Sequence, residues 1–116
     1  MSVVMPVRNG GLALLDTIAS IRAQTWRDWE LVVVDDGSTD GTAVGLAAAA
    51  RADPRIRVLS PGAVGLVAAL NAGLEVARGR LIARMDADDV AHPERLREQV
   101  EFLLAPAQAS IGVAGC

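Results

Sequence analysis

Several whole classes of protein depend on residues that this sequence lacks. Its one cysteine, Cys116, is the last of 116 residues. That excludes a disulfide framework and a cysteine-based metal site within the chain, and it fits a reducing compartment. Aromatic residues make up only 3%: Trp26, Trp29 and Phe102, with no tyrosine. The core therefore has to be aliphatic. Lysine is absent, so all 11 basic residues are arginine, and 14 acids leave a net charge of −3. With no positive excess to neutralise a phosphate backbone, nucleic acid is not an expected partner. No apolar run is long enough to cross a bilayer, which takes about 20 residues. The longest weakly polar stretch, Pro61 to Leu74, is interrupted by Asn71. No basic region precedes the first apolar residues, as a secretory leader requires. We expect a cytoplasmic domain; attachment to the cytoplasmic face of a membrane would need another segment.

What is present is 52% hydrophobic residues arranged in a regular alternation. Short apolar runs occur at Val3–Met5 (ended by Pro6), Leu31–Val34, Ile56–Leu59, Leu81–Met85 and Ile111–Ala114. Helix-length segments separate them. Leu14, Ile18 and Ile21 recur at helical spacing, and the Ala-rich segment Thr42–Ala52 stops at Asp53-Pro54. Leu66–Ala77 is helical in pattern. Pro93–Leu104 opens on a proline and lines up Leu96, Val100 and Leu103. Continuous rather than alternating apolar runs mark strands buried on both faces. The order predicts one α/β domain over residues 1–116, with a mainly parallel sheet of about five strands flanked by helices in a Rossmann-like manner.

In such sheets ligands bind beyond the carboxyl ends of the strands. The residues there are Pro6-Val7-Arg8-Asn9-Gly10, Asp35-Asp36-Gly37-Ser38-Thr39-Asp40 and Asp86-Ala87-Asp88-Asp89. Six of the 14 acids lie in the last two of these loops. If the strands are neighbours, these carboxylates crowd one edge, a costly arrangement unless a cation intervenes. All-oxygen ligands favour Mg²⁺ or Mn²⁺, with substrate phosphates completing the shell. In an extended segment Asp86 and Asp88 would face the same side. Turn chemistry is the competing explanation for the first acidic loop. Thr39 or Asp40 would cap the following helix, and Gly37 would supply a positive-φ position.

Taken in series, these segments resemble the family 2 glycosyltransferases, which have the GT-A fold. The matching stretches are Val4–Asn9, Gln24-Thr25-Trp26, Glu30–Thr42, Gly65–Gly73, Ala77-Arg78-Gly79, Ile82–Asp89, and Pro93–Leu96 with Gln99-Val100. They cover nearly the whole chain in order, as the nucleotide-sugar-binding N-terminal part of the family's domain. The resemblance implies metal-dependent, inverting transfer of a sugar from a nucleotide-diphosphate sugar, a UDP-sugar first of all, in bacterial cell-surface polysaccharide assembly. It implies a nucleotide pocket made by Pro6, Val7, Arg8, Asp35, Asp36 and Asp86. Asp88, helped by Asp86, would bind the metal, and Asp89 would lie near the donor sugar. Two residues depart from the family's usual pattern: Arg8 stands where tyrosine is common, and Leu70 where arginine is common. The catalytic base and the acceptor-binding part are expected beyond Cys116, so the isolated chain would bind nucleotide without turnover. A nucleotidyltransferase is the alternative enzyme, but Pro6–Gly11 lacks the glycine-rich basic signature expected there. No Gly-Lys-Ser/Thr loop points to a P-loop enzyme, and Gly10-Gly11 lacks the remaining glycines of a dinucleotide fingerprint. His92, with no nucleophile beside it, reads as a helix-entry residue. Trp26 and Trp29 read as core caps.

Overall fold

The computed structural model describes residues 1–104 and 113–114. Strands and helices alternate: β1 (Ser2–Val7), α1 (Ala13–Arg22), β2 (Glu30–Asp35), α2 (Thr42–Ala52), β3 (Ile56–Leu59), α3 (Leu66–Val76), β4 (Ile82–Arg84), α4 (Arg95–Leu104) and β5 (Val113–Ala114). The five strands form one sheet in the order β3-β2-β1-β4-β5, and every pairing is parallel. The expected α/β architecture is therefore the observed one. Ile111 and Gly112, expected in the last strand, lie outside the described residues.

The continuous apolar runs are buried on both faces, as parallel strands require. Val3, Met5 and Val7 of β1, with Leu31 and Val33 of β2, join Leu14, Ile18 and Ile21 of α1, Leu46 of α2 and Leu96 of α4 in the main core. The alternate residues Val32 and Val34 face α3 through Ala69. Helix α3 lies close to the sheet because Gly73 has no side chain. A Cβ there would come within 2.6 Å of Val4 Cγ1 and 3.2 Å of Val34 Cγ2.

Three expected boundaries move. Pro6 does not end β1 but lies inside it, opposite Val34. The Ser2 N–H donates to the Leu81 carbonyl, and the Val4 carbonyl accepts from the Met85 N–H. Even-numbered residues of β1 thus turn their backbone groups toward β4, whose pairing with β1 ends at Val4–Arg84. Pro6 lacks its donor where no strand remains to receive one. Strand β4 is shorter than its apolar run, and α4 starts at Arg95 rather than Pro93, after a turn closed by the Arg95 N–H on the His92 carbonyl.

At the opposite end of the strands, one carboxylate ties four segments together. Glu30 accepts from the Ser2 hydroxyl at 2.6 Å, the Arg78 N–H at 2.6 Å and Arg57 Nη1 at 2.9 Å. Burial opposes its charge, but the bonds from Ser2, Arg78 and Arg57 outweigh that and hold its pKa below the ordinary 4.5. A depressed folded-state pKa stabilises the fold above the unfolded value, and the stabilisation is lost as pH falls through the folded one. Glu30→Gln is therefore expected to cost about 1–3 kcal/mol near neutral pH. That deficit should shrink progressively below pH 4.5. Urea unfolding of both proteins across this range checks it, and a deficit independent of pH would contradict the assignment.

Candidate functional site

Parallel pairing sets three strand-end loops side by side. In the β1–β2 register Val7 lies opposite Asp35, and the Asp36 N–H donates to the Val7 carbonyl at 2.8 Å. On the other flank of β1, the Met85 N–H reaches the Val4 carbonyl at 3.1 Å, so Asp86 leaves the sheet beside the first loop. The first two loops are laced together. Asn9, at φ 52°, accepts the Thr39 N–H at 2.8 Å on its side-chain oxygen and donates its own N–H to Ser38 Oγ at 2.9 Å. The Gly10 N–H donates to Thr42 Oγ1 at 3.1 Å. Arg8 is exposed at this edge, and no hydrogen bond or ion pair among the described residues engages its side chain.

The expected crowding of six carboxylates does not occur. Among the described residues, no three acidic, histidine or cysteine side chains gather closely enough to hold a metal ion. Turn chemistry has claimed half of the six. Asp35 is buried, and its Oδ1 accepts the Ser38 N–H at 3.0 Å. Asp36 Oδ1 accepts the N–H groups of Val64 at 2.7 Å and Gly65 at 2.9 Å, fixing the entry to α3. Asp40 accepts both the hydroxyl and the N–H of Thr42, the first residue of α2. Those two bonds, the hydroxyl first, hold the Asp40 pKa below the usual carboxylate value. The N-cap is therefore neither Thr39 nor Asp40, as expected, but Gly41, with no side-chain cap bond; Asp40 instead holds Thr42 from one residue ahead of that cap.

The second acidic loop is different. Its backbone is not extended, as the alternation of carboxylates suggested. The Asp89 N–H closes a turn on the Asp86 carbonyl at 3.1 Å, with Ala87 and Asp88 at the corner. The turn is favoured because β4 has lost its ladder partner by this point. Asp86 and Asp88 are both exposed. Asp86 lies 3.6 Å from Arg84 Nη2, whereas no described residue pairs with the Asp88 carboxylate. A cleft of about 470 Å³ runs from Asp86 and Asp89 past His92 to Arg95 and Gln99. Exposed Asp88, and exposed Asp86 beside Arg84, are carboxylates of the kind that a hard divalent ion takes as one or two protein ligands, its shell completed by phosphate and water.

Sequence reading missed what holds this loop. A row of polar residues on α1 and just past its end, Thr17, Ser20 and Gln24, meets it. Thr17 Oγ1 lies 2.8 Å from the Ala87 carbonyl, and the Ala91 N–H donates to Ser20 Oγ at 3.0 Å. The fully buried Gln24 carboxamide donates to the His92 carbonyl at 2.8 Å and accepts the Leu96 N–H at 2.9 Å. The signal was there as helical spacing of three and four, with Thr17 buried among Leu14, Ile18 and Ile21. His92 behaves as expected of a helix-entry residue, accepting the Glu94 N–H on Nδ1. Trp29 lies in the core with the Arg55 guanidinium 3.8 Å above its ring, and Trp26 packs against the same core.

Comparison with known proteins identifies the family. The family model described as glycosyl transferase family 2 matches residues 2–115, and the chain belongs to that family. EpsE of Bacillus subtilis is 41% identical over 105 residues, which are 89% of this chain and 38% of EpsE. The mannosyltransferase PcManGT from Pyrobaculum calidifontis, solved with GDP-Man and Mn²⁺, superposes with a TM-score of 0.83 at 28% identity, over 90% of this chain and 32% of that one. Staphylococcus aureus TarS 1–349, solved with UDP-GlcNAc, gives 0.78 at 27% identity, over 88% and 30%. The chain thus spans less than two fifths of each. Among the described residues no helix is long and apolar enough to cross a membrane.

The laced loops depend on one tight approach. Gly37 sits at φ 75°, as its turn position predicted, and a Cβ there would lie 2.7 Å from Ala63 Cβ and 2.9 Å from Ala63 Cα. Gly37→Ala is expected to cost about 1–3 kcal/mol through backbone strain and overpacking. It would push the Ala63–Gly65 segment away from Asp36. Chemical denaturation measures the cost, and an unchanged midpoint would contradict it.

Proposed function

We propose that this chain is the donor-binding part of an inverting glycosyltransferase that moves a sugar from a nucleotide-diphosphate sugar to an acceptor hydroxyl. One observation carries the reading: among the described residues the same sheet edge carries both the exposed, unengaged Arg8 and the exposed turn of Asp86 and Asp88. Pro6, Val7 and Arg8 line the nucleotide pocket from β1, with the guanidinium available to stack on the base or to meet phosphate. Asp35 and Asp36 border the pocket from β2. Asp36 spends Oδ1 on α3's entry, and its second oxygen serves the nucleoside. Asp86 closes the pocket from β4. Asp88, with Asp86, holds Mg²⁺ or Mn²⁺; when bound, the ion neutralises charge developing on the diphosphate leaving group. Asp89 borders the cleft toward the donor sugar.

The solved relatives support the reading through what they hold, GDP-Man with Mn²⁺ in one and UDP-GlcNAc in the other. A UDP-sugar remains our choice of donor. In-line attack by the acceptor needs a general base, normally a carboxylate, and we assign that role to none of these 116 residues. Assignment to cell-surface polysaccharide assembly follows from family resemblance alone.

Titrating UDP and GDP into the 116-residue chain by calorimetry, with and without Mn²⁺, tests the reading. UDP is expected to bind more tightly with the ion, and more tightly than GDP. Asp88→Asn should weaken the Mn²⁺-dependent binding by at least about tenfold. Its melting temperature without metal should stay or rise, because an acid is removed from an acid-rich turn. A lowered melting temperature with unchanged Mn²⁺ response would make Asp88 a turn residue and overturn its ligand role.

A further inference from the structure

The Asp88 carboxylate has no partner among the described residues, so its backbone alone aims it. That backbone is held at one nearby point from outside the turn. The Ala87 carbonyl shares a rigid peptide plane with the Asp88 nitrogen, and Thr17 Oγ1 lies 2.8 Å from it. Within α1 the same hydroxyl lies 3.1 Å from the Ala13 carbonyl. It has one proton for two acceptors, and the shorter contact is the one to Ala87. Thr17 is fully buried on the helix face that otherwise carries Leu14, Ile18 and Ile21. Valine would fill the same volume there. A hydroxyl in that position does for the loop what no aliphatic side chain can do.

From this geometry we propose that Thr17 is a positioning residue for metal and diphosphate binding. It fixes the Ala87–Asp88 peptide plane and so pre-sets the direction of the Asp88 carboxylate. Ser20 secures the far side of the loop through the Ala91 N–H. The proposal rests on the reading that Asp86 and Asp88 hold the ion. A pre-set carboxylate binds without first ordering its loop, so the benefit appears as affinity.

The test compares the full 116-residue chain with Thr17→Val, Thr17→Ser, Ser20→Ala and, as a control for general destabilisation, Leu46→Ala in α2. Two quantities are read at a temperature where each protein is folded: amide hydrogen exchange, and UDP affinity in Mn²⁺. Thr17→Val is expected to speed exchange at Asp89 and Ala91 about tenfold over the strand amides, and to weaken UDP binding in Mn²⁺ several-fold. Ser20→Ala should do the same more mildly, which keeps the test open if Thr17→Val folds poorly. Thr17→Ser should restore both quantities. Leu46→Ala should speed exchange throughout the chain and leave UDP affinity unchanged. Unchanged loop exchange in Thr17→Val and Ser20→Ala would overturn the proposal. So would a loosened loop with wild-type UDP affinity. A wild-type chain whose UDP binding ignores Mn²⁺ would instead overturn the underlying reading of the site, and the positioning role with it.

Discussion

Everything at the candidate site depends on the parallel pairing of β1 with strands on both its sides. β2 and β4 run in the same direction as β1, so all three release their chains at the same edge. Val7 beside Asp35, and Met85 bonded to Val4, set the offsets between the loops. Neither neighbour could shift by one residue without turning its buried side chains to the wrong face. The core and the site are therefore specified by the same register. The aliphatic residues that bury the sheet also decide where the carboxylates emerge.

The two acidic loops then take opposite roles. In the loop after β2, Asp35, Asp36 and Asp40 are bound to backbone N–H groups. They stiffen this edge of the sheet and lead into two helices. In the loop after β4, Asp86 and Asp88 face solvent, and the stiffness comes from α1 instead. Polar side chains on a buried helix face cost desolvation unless fully satisfied. Thr17 and Gln24 meet that condition with the Ala87 and His92 carbonyls of the loop and the Leu96 N–H of α4. The turn is thus held through its backbone from α1 and the segment just past it. That division leaves the Asp88 carboxylate without a partner among the described residues.

Much of this was legible in the sequence. Leu31–Val34 reads as a doubly buried strand because it is apolar without alternation, and Thr42–Ala52 reads as a helix bounded by its stop signal; both are observed. Gly37 was legible because a turn there demands positive φ. Other features required the third dimension. Pro6 looks like a terminator until the early end of β4 is known. Asp86-Ala87-Asp88 looks extended until the turn closed by Asp89 is seen. Gln24 was noticed as part of a motif without a role, because its partners lie 68 and 72 residues away. Counting carboxylates along the chain also overstated their crowding, since spacing in sequence cannot show which oxygens the backbone has already taken.

We propose that one sheet edge, and within it the Asp86–Asp89 turn, receives a divalent ion together with a nucleoside diphosphate. Paramagnetic broadening of backbone amide resonances by Mn²⁺, recorded with and without UDP, tests this most directly. With UDP present, broadening should centre on Asp86 to Asp89 and extend to Arg8 and Asp36. Ser2, Glu30, Ile56 and Ile82, at the opposite ends of the strands, should stay sharp. Broadening centred at those opposite ends, or a pattern indifferent to UDP, would contradict the account.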